Sequence, residues 1–118
     1  MKSDAVYLHH ILEAISRIER YVHGKTFEEF LRDELLQDGV IRQLSIIGEA
    51  ARRVSEDLQR VYPEVPWKDI IGMRNIIVHD YFGVDLGEVW RTVQNDLQPL
   101  KAQIVRALEA LEEGPCPS

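Results

Sequence analysis

The sequence predicts an all-α protein, a bundle of four to five helices, and three observations carry that prediction. Apolar residues recur at steps of three and four through most of the chain, which is the period of one helical face, and no alternating strand pattern survives beside it. Two segments with capping-box spacing, Thr26 to Glu29 and Asp85 to Glu88, stand directly before apolar-periodic stretches. Helix-ending glycine and proline collect between those stretches, at Gly24 and at Pro63 and Pro66.

Composition sets the outer bounds. With 45% apolar and 29% charged residues in 118, the chain sits well inside the globular range and away from disorder. Its length suits a single domain, placed at residues 1–113, with 114–118 (Gly-Pro-Cys-Pro-Ser) as a frayed tail. The net charge of −6 excludes a broadly basic nucleic-acid coat, yet leaves room for a small basic cleft. The single Cys116 cannot form an intramolecular disulfide, which suits a reducing compartment. No apolar run approaches ~18 residues and no signal-peptide core is visible. A soluble, cytoplasmic protein with no membrane segment is expected.

The first helix is capped by Ser3 or Asp4, carries the spine Leu8, Ile11, Ile15, Ile18 and Val22, and ends at Gly24. Thr26 opens a short helix whose buried side is Phe27, Phe30, Leu31 and Leu35, and Asp38-Gly39 breaks or bends the chain after it. A third, long helix follows through Leu44, Ile47, Ala51, Val54, Leu58 and Val61. Within it, Gly48 costs about 1 kcal/mol of helix propensity against alanine, so close approach by another backbone is its expected compensation. Beside it, Glu49 reads as a polar member of a site, or as a helix-face carboxylate paired with Arg52 or Arg53. After the rigid connector Tyr62–Pro66, a helix runs from Trp67 to about His79. The last helix has the spine Leu86, Trp90, Val93, Leu97, Leu100, Ile104, Ala107 and Leu111, with a kink expected at Pro99.

The chemistry-bearing side chains crowd into Arg74–Tyr81. The four histidines form no metal pattern with the lone cysteine, and no phosphate-binding glycine loop or nucleophile elbow is present, so no metal or cofactor is expected. Arg74 and His79 remain as candidates. An imidazole moves protons near neutral pH, and a guanidinium grips a phosphate by two parallel hydrogen bonds. On residue chemistry alone, both serve as well in capping or ion pairing. At ~100° per residue the two lie roughly 140° apart on one helix, so a site using both is easier to build from two copies of that helix. Gly72, on the stripe of His79, permits the close approach that this requires.

Arg74-x-x-x-x-His79-x-Tyr81, late in a small helical chain, resembles the RxxxxHxY motif of HepT-like toxins in the HEPN superfamily. The resemblance covers nearly the whole chain: Gly48-Glu49-Ala50-Ala51, Pro66-Trp67, Met73-Arg74-Asn75, Val84-Asp85 with Trp90, and the proline of Asp96-Leu97-Gln98-Pro99-Leu100 all fit it. It implies a HEPN-like bundle forming a two-fold homodimer, and a metal-independent endoribonuclease. It also implies a neighbouring minimal nucleotidyltransferase (MNT) antitoxin as partner, which silences the toxin by AMPylation of the motif tyrosine. Carried over by residue, Arg74 binds the scissile phosphate of the RNA and His79 is the acid/base. Asn75 and, more weakly, Glu49 orient substrate, and Tyr81 receives the AMP. Two other readings stand beside it: a non-catalytic helical subunit presenting substrate to a nucleotidyltransferase, and a dimeric helical adaptor.

Overall fold

The computed structural model describes residues 3–72 and 84–113. They form α1 (Asp4–Val22), α2 (Phe27–Arg32), α3 (Glu34–Arg53), α4 (Glu56–Val61), a helical segment α5 at 67–72, α6 (Leu86–Asn95) and α7 (Leu97–Glu113). No strand occurs among the described residues. The all-α expectation holds. Two of the five expected helices are each split by a short break, which accounts for the larger number of segments.

α1 lies against α3 and α7 and carries the centre of the core. Leu8, Ile11, Ile15 and Ile18 are 0% exposed, with Val22 partly buried. α3 answers with Val40, Leu44, Ile47 and Ala51, and α7 with Ile104 and Ala107, all 0% exposed. Each such large side chain contributes about 1.5–3 kcal/mol by leaving water. The spine read from the sequence is therefore the core. α1 ends with His23 as its cap and Gly24 at φ +72°, a left-handed position that a glycine takes without strain.

Four boundaries differ from expectation. Ser3 takes the N-cap position of α1 without a side-chain capping bond, and Asp4 caps nothing of its own helix. Instead its carboxylate accepts the Ser55 N–H at 2.8 Å and the Ser55 hydroxyl at 2.6 Å. Ser55 Oγ in turn accepts the Leu58 N–H at 3.1 Å, so Ser55 caps α4 while held by α1. That clamp splits the expected third helix at Val54-Ser55, both extended, although Leu58 stays on the buried stripe beyond the break.

The expected break at Asp38-Gly39 is absent, since α3 runs straight through it. The chain turns earlier, at Asp33 (φ −120°, ψ 94°), whose carboxylate accepts the Leu36 N–H at 3.0 Å. Gly39 has a packing role: a Cβ there would come 3.3 Å from the Tyr21 ring. In α2 the Thr26–Glu29 capping box forms in both directions, at 3.0 and 3.1 Å. Of its expected buried side only Phe30 is inside; Phe27, Leu31 and Leu35 are 38%, 44% and 83% exposed.

The last expected helix divides at Asp96, near the kink foreseen at Pro99. α6 stops at Asn95, the residue whose carbonyl would be bonded by the N–H of residue 99 in an unbroken helix and which Pro99, having none, cannot bond. Pro99 falls in the first turn of α7, where its missing N–H leaves no bond unmade. Val93, Leu97, Leu100, Ile104 and Ala107 are buried as expected, Val89 and Leu108 join them, and Leu111 is 38% exposed. The expected frayed tail at 114–118 lies outside the described residues.

Candidate functional site

The described residues that flank the motif on either side are held by specific contacts. Before it, the Trp67 indole N–H donates to the Tyr62 carbonyl at 3.0 Å, folding the proline connector onto itself. Val65 and Trp67 are 2% and 6% exposed, and Gln103 of α7 donates to the Glu64 carbonyl at 3.1 Å. Ile70 then turns inward at 4% exposure, fixing the rotation of α5. After the motif, the Asp85 carboxylate accepts the Glu88 N–H at 3.2 Å and starts α6. Glu88 does not complete a reciprocal box. Its carboxylate accepts two bonds from the Arg91 guanidinium, at 2.7 and 3.2 Å, and is held below the usual glutamate range by that contact.

Arg74, Asn75, His79 and Tyr81 lie outside the described residues, as does the expected course of the motif helix to about His79. Glu49 lies within them, on the last turns of α3 between buried Gly48 and Ala50. Its side chain is 30% exposed, and Oε1 accepts from Arg53 Nε at 3.0 Å and from Arg52 Nη2 at 3.3 Å. The helix-face pairing read as one of two roles is thus formed, with both arginines.

Sequence reasoning missed the far side of this cluster. The Arg53 guanidinium holds its proton more firmly than usual, chiefly through Glu49 and next through the hydroxyl of Tyr7. Tyr7 comes from α1 and meets His10 edge-on, with ring centroids 6.1 Å apart. No spacing in the sequence links residue 7 to residue 53; the signal is only that both lie at polar positions flanking long apolar spines. A second missed feature is an open groove of about 700 Å³ between α4 and α5, lined by Gln59, Arg60, Pro63, Trp67 and Lys68 among others. Arg60 there is paired with Asp57. Among the described residues, no three His, Cys, Asp or Glu side chains gather as metal ligands do, and no helix is long and apolar enough to cross a membrane. A Cβ at Gly72 would meet nothing within 4 Å, so the space beside that glycine is open among the described residues.

Known proteins resemble this chain along most of its length. A protein of Methanocaldococcus jannaschii, named as a gamma-glutamylcyclotransferase and candidate RNase, is 42% identical over 115 residues, covering 97% of this chain. The match spans only 52% of that longer relative. The probable ribonuclease HepT of Thermococcus cleftensis is 43% identical over 86% of this chain and 93% of its own. A candidate RNase of Caldanaerobacter subterraneus subsp. tengcongensis is 36% identical over 92% of this chain and 97% of its own. No solved structure gives a significant match. The family described as ribonuclease HepT-like matches residues 11–107, a stretch that holds the core helices, Glu49 and the whole Arg74–Tyr81 motif. The chain belongs to the HepT-like ribonuclease family.

Proposed function

We propose that this ribonuclease is the toxin of a toxin–antitoxin pair. It cuts RNA internally, without a metal ion, at a cleft shared by two protomers, and a nucleotidyltransferase silences it by attaching AMP to Tyr81. The observation that carries the reading is the ordered set Arg74, His79 and Tyr81 inside the stretch that matches the family. Among the described residues a Cβ at Gly72 would meet nothing within 4 Å, which is compatible with the close helix approach that a dimer requires.

The chemistry is a transesterification. The ribose 2′-oxygen bonds to phosphorus, the bond to the next nucleotide's 5′-oxygen breaks, and a cyclic phosphate and a free 5′-hydroxyl result. His79 takes the proton from the attacking hydroxyl or gives one to the departing oxygen, and two protomers supply one imidazole for each task. Arg74 holds two phosphate oxygens and stabilises the charge that builds on them. Asn75 and Glu49 orient the substrate. AMP on Tyr81 brings a phosphate that Arg74 can hold as it holds RNA, so charge and volume both exclude the substrate.

The test uses the purified full chain and a short RNA of mixed sequence, with excess chelator. Cleavage should persist with the chelator and vanish in His79→Ala, while Arg74→Lys loses most activity because an ammonium lacks the bidentate fork. A requirement for added metal, or full activity in His79→Ala, overturns the mechanism. A monomer by light scattering at micromolar concentration overturns the shared cleft. Co-expressed with the adjacent nucleotidyltransferase, the protein should gain AMP-sized mass that is lost in Tyr81→Phe; silencing without added mass overturns the modification.

A further inference from the structure

We infer that the outer face of α2 and the first turns of α3 docks a segment of a partner protein that carries leucine-like side chains flanked by lysine or arginine. Phe27, Leu31 and Leu35 expose 38%, 44% and 83% of their surface there, and Leu35 is the most exposed large apolar residue among those described. Around them stand the exposed carboxylates Glu28, Glu34 and Asp38. Elsewhere carboxylates pair along their own helices, as Glu13 does with Arg17, Asp57 with Arg60 and Glu88 with Arg91. Among the described residues, no ion pair of this kind reaches Glu28, Glu34 or Asp38, although Arg32 and Arg42 lie on the same two helices. Residues 27–38 hold five carboxylates against one guanidinium.

Local structure explains part of this. Glu28 and Glu34 sit in first turns, where the helix dipole favours anions, and Glu29 and Asp33 serve as caps. Asp38 lies beyond the first turn, and no dipole accounts for Leu31 and Leu35. An apolar patch inside an acidic rim selects its occupant by charge. RNA and anionic lipid carry the wrong sign, and a two-fold contact of this face with itself would set acid against acid. A basic rim with an apolar centre matches on both counts. The surface lies away from Glu49: on the helical rise, Leu35 and Glu49 are about 21 Å apart along α3. An occupant therefore need not block RNA at Glu49.

The experiment titrates the full chain with a synthetic helical peptide of leucines at helical spacing on a lysine background. A peptide with the same leucine register on a glutamate background serves as control. Binding is followed by fluorescence anisotropy and mapped by backbone amide shifts. The lysine peptide should bind, shift amides in residues 27–38, and weaken at least tenfold in Leu35→Ser and in Asp38→Lys, with circular dichroism and RNA cleavage unchanged. Shifts centred elsewhere, equal binding of the two peptides, or unchanged affinity in both variants would overturn the inference. A change of oligomeric state in Leu35→Ser would also overturn it, since the face would then be a contact between copies. RNA cleavage is read in the same samples, so loss of the ribonuclease reading and loss of this one are separable.

Discussion

α1 and the corner made by α2 and the head of α3 are written in the same apolar code but folded to opposite ends. In α1, Leu8, Ile11, Ile15 and Ile18 are all 0% exposed; in the corner, Phe30 is buried while Phe27, Leu31 and Leu35 remain outside. Periodicity says which side chains share a face. It does not say whether anything arrives to cover that face. α1 lies between α3 and α7, so a stripe of four turns finds neighbours along its length. α2 has six residues and packs against α3 and α6 through Phe30, whose ring lies 5.2 Å from that of Trp90. Phe27 also meets the Trp90 ring, at 6.2 Å, yet stays 38% exposed, and Leu31 is 44% exposed.

The largest effect expected separates the two regions directly. Ile15→Ala should destabilise by about 3 kcal/mol, from lost burial plus the cavity left behind, whereas Leu35→Ala should change stability by less than about 0.5 kcal/mol. Urea unfolding with equal slopes measures both. A Leu35→Ala cost near that of Ile15→Ala would mean that the corner is covered after all, and the contrast would fail.

A middle-sized effect comes from the clamp that joins α1 to the α3–α4 break. Asp4→Ala removes two bonds from Ser55, at 2.8 and 2.6 Å, and should lower stability by about 1–2 kcal/mol. Asp4→Asn keeps one acceptor for the backbone N–H and should recover part of that loss. If Asp4→Ala is silent in thermal unfolding, Ser55 caps α4 unaided and the clamp adds nothing.

The same comparison explains what was legible. The all-α class, the core of α1, the third-helix stripe as far as Leu58 and the Thr26 box follow from local pattern and match the structure, because each depends on neighbours within one or two turns. Val61, expected on the same stripe, is 65% exposed. Breaks that leave the apolar phase intact were hidden: Ala51, Val54 and Leu58 keep step across Ser55 even though α3 has ended. A local signal was available there, a serine followed by Glu56 and Asp57, which is how a helix starts. Asp33 offered the same signal before Glu34, but Gly39 drew attention as a breaker when it serves as the seat of the Tyr21 ring. Of the candidate site, the Glu49–Arg52–Arg53 pairing was legible from helical spacing. The Tyr7 contact was not, since it depends on how α1 crosses α3. The motif residues Arg74, Asn75, His79 and Tyr81 stand on sequence pattern and family membership.

The smallest effect concerns two carboxylates with capping-box spacing and different partners. Glu29 is held below its ordinary value of 4.5 first by the Thr26 backbone N–H, and Glu88 is held below it first by Arg91. For both, the folded state binds the proton less well than the unfolded state. Each therefore stabilises the fold above the ordinary glutamate range, and the contribution is lost as pH falls through the lowered folded value. Salt should tell them apart. Raising ionic strength from about 0.1 to about 1 M shortens the screening length from about 10 to about 3 Å, which weakens an exposed ion pair more than a capping bond. Glu88→Gln should thus differ from the parent in acid-unfolding midpoint at low salt and converge on it at high salt. Glu29→Gln should keep the cap, since an amide oxygen also accepts the Thr26 N–H, but flatten the acid limb at both salt concentrations. Equal salt sensitivity of the two variants would show that the Thr26 box is held by charge, through Lys25 and Arg32, and not by its hydrogen bonds.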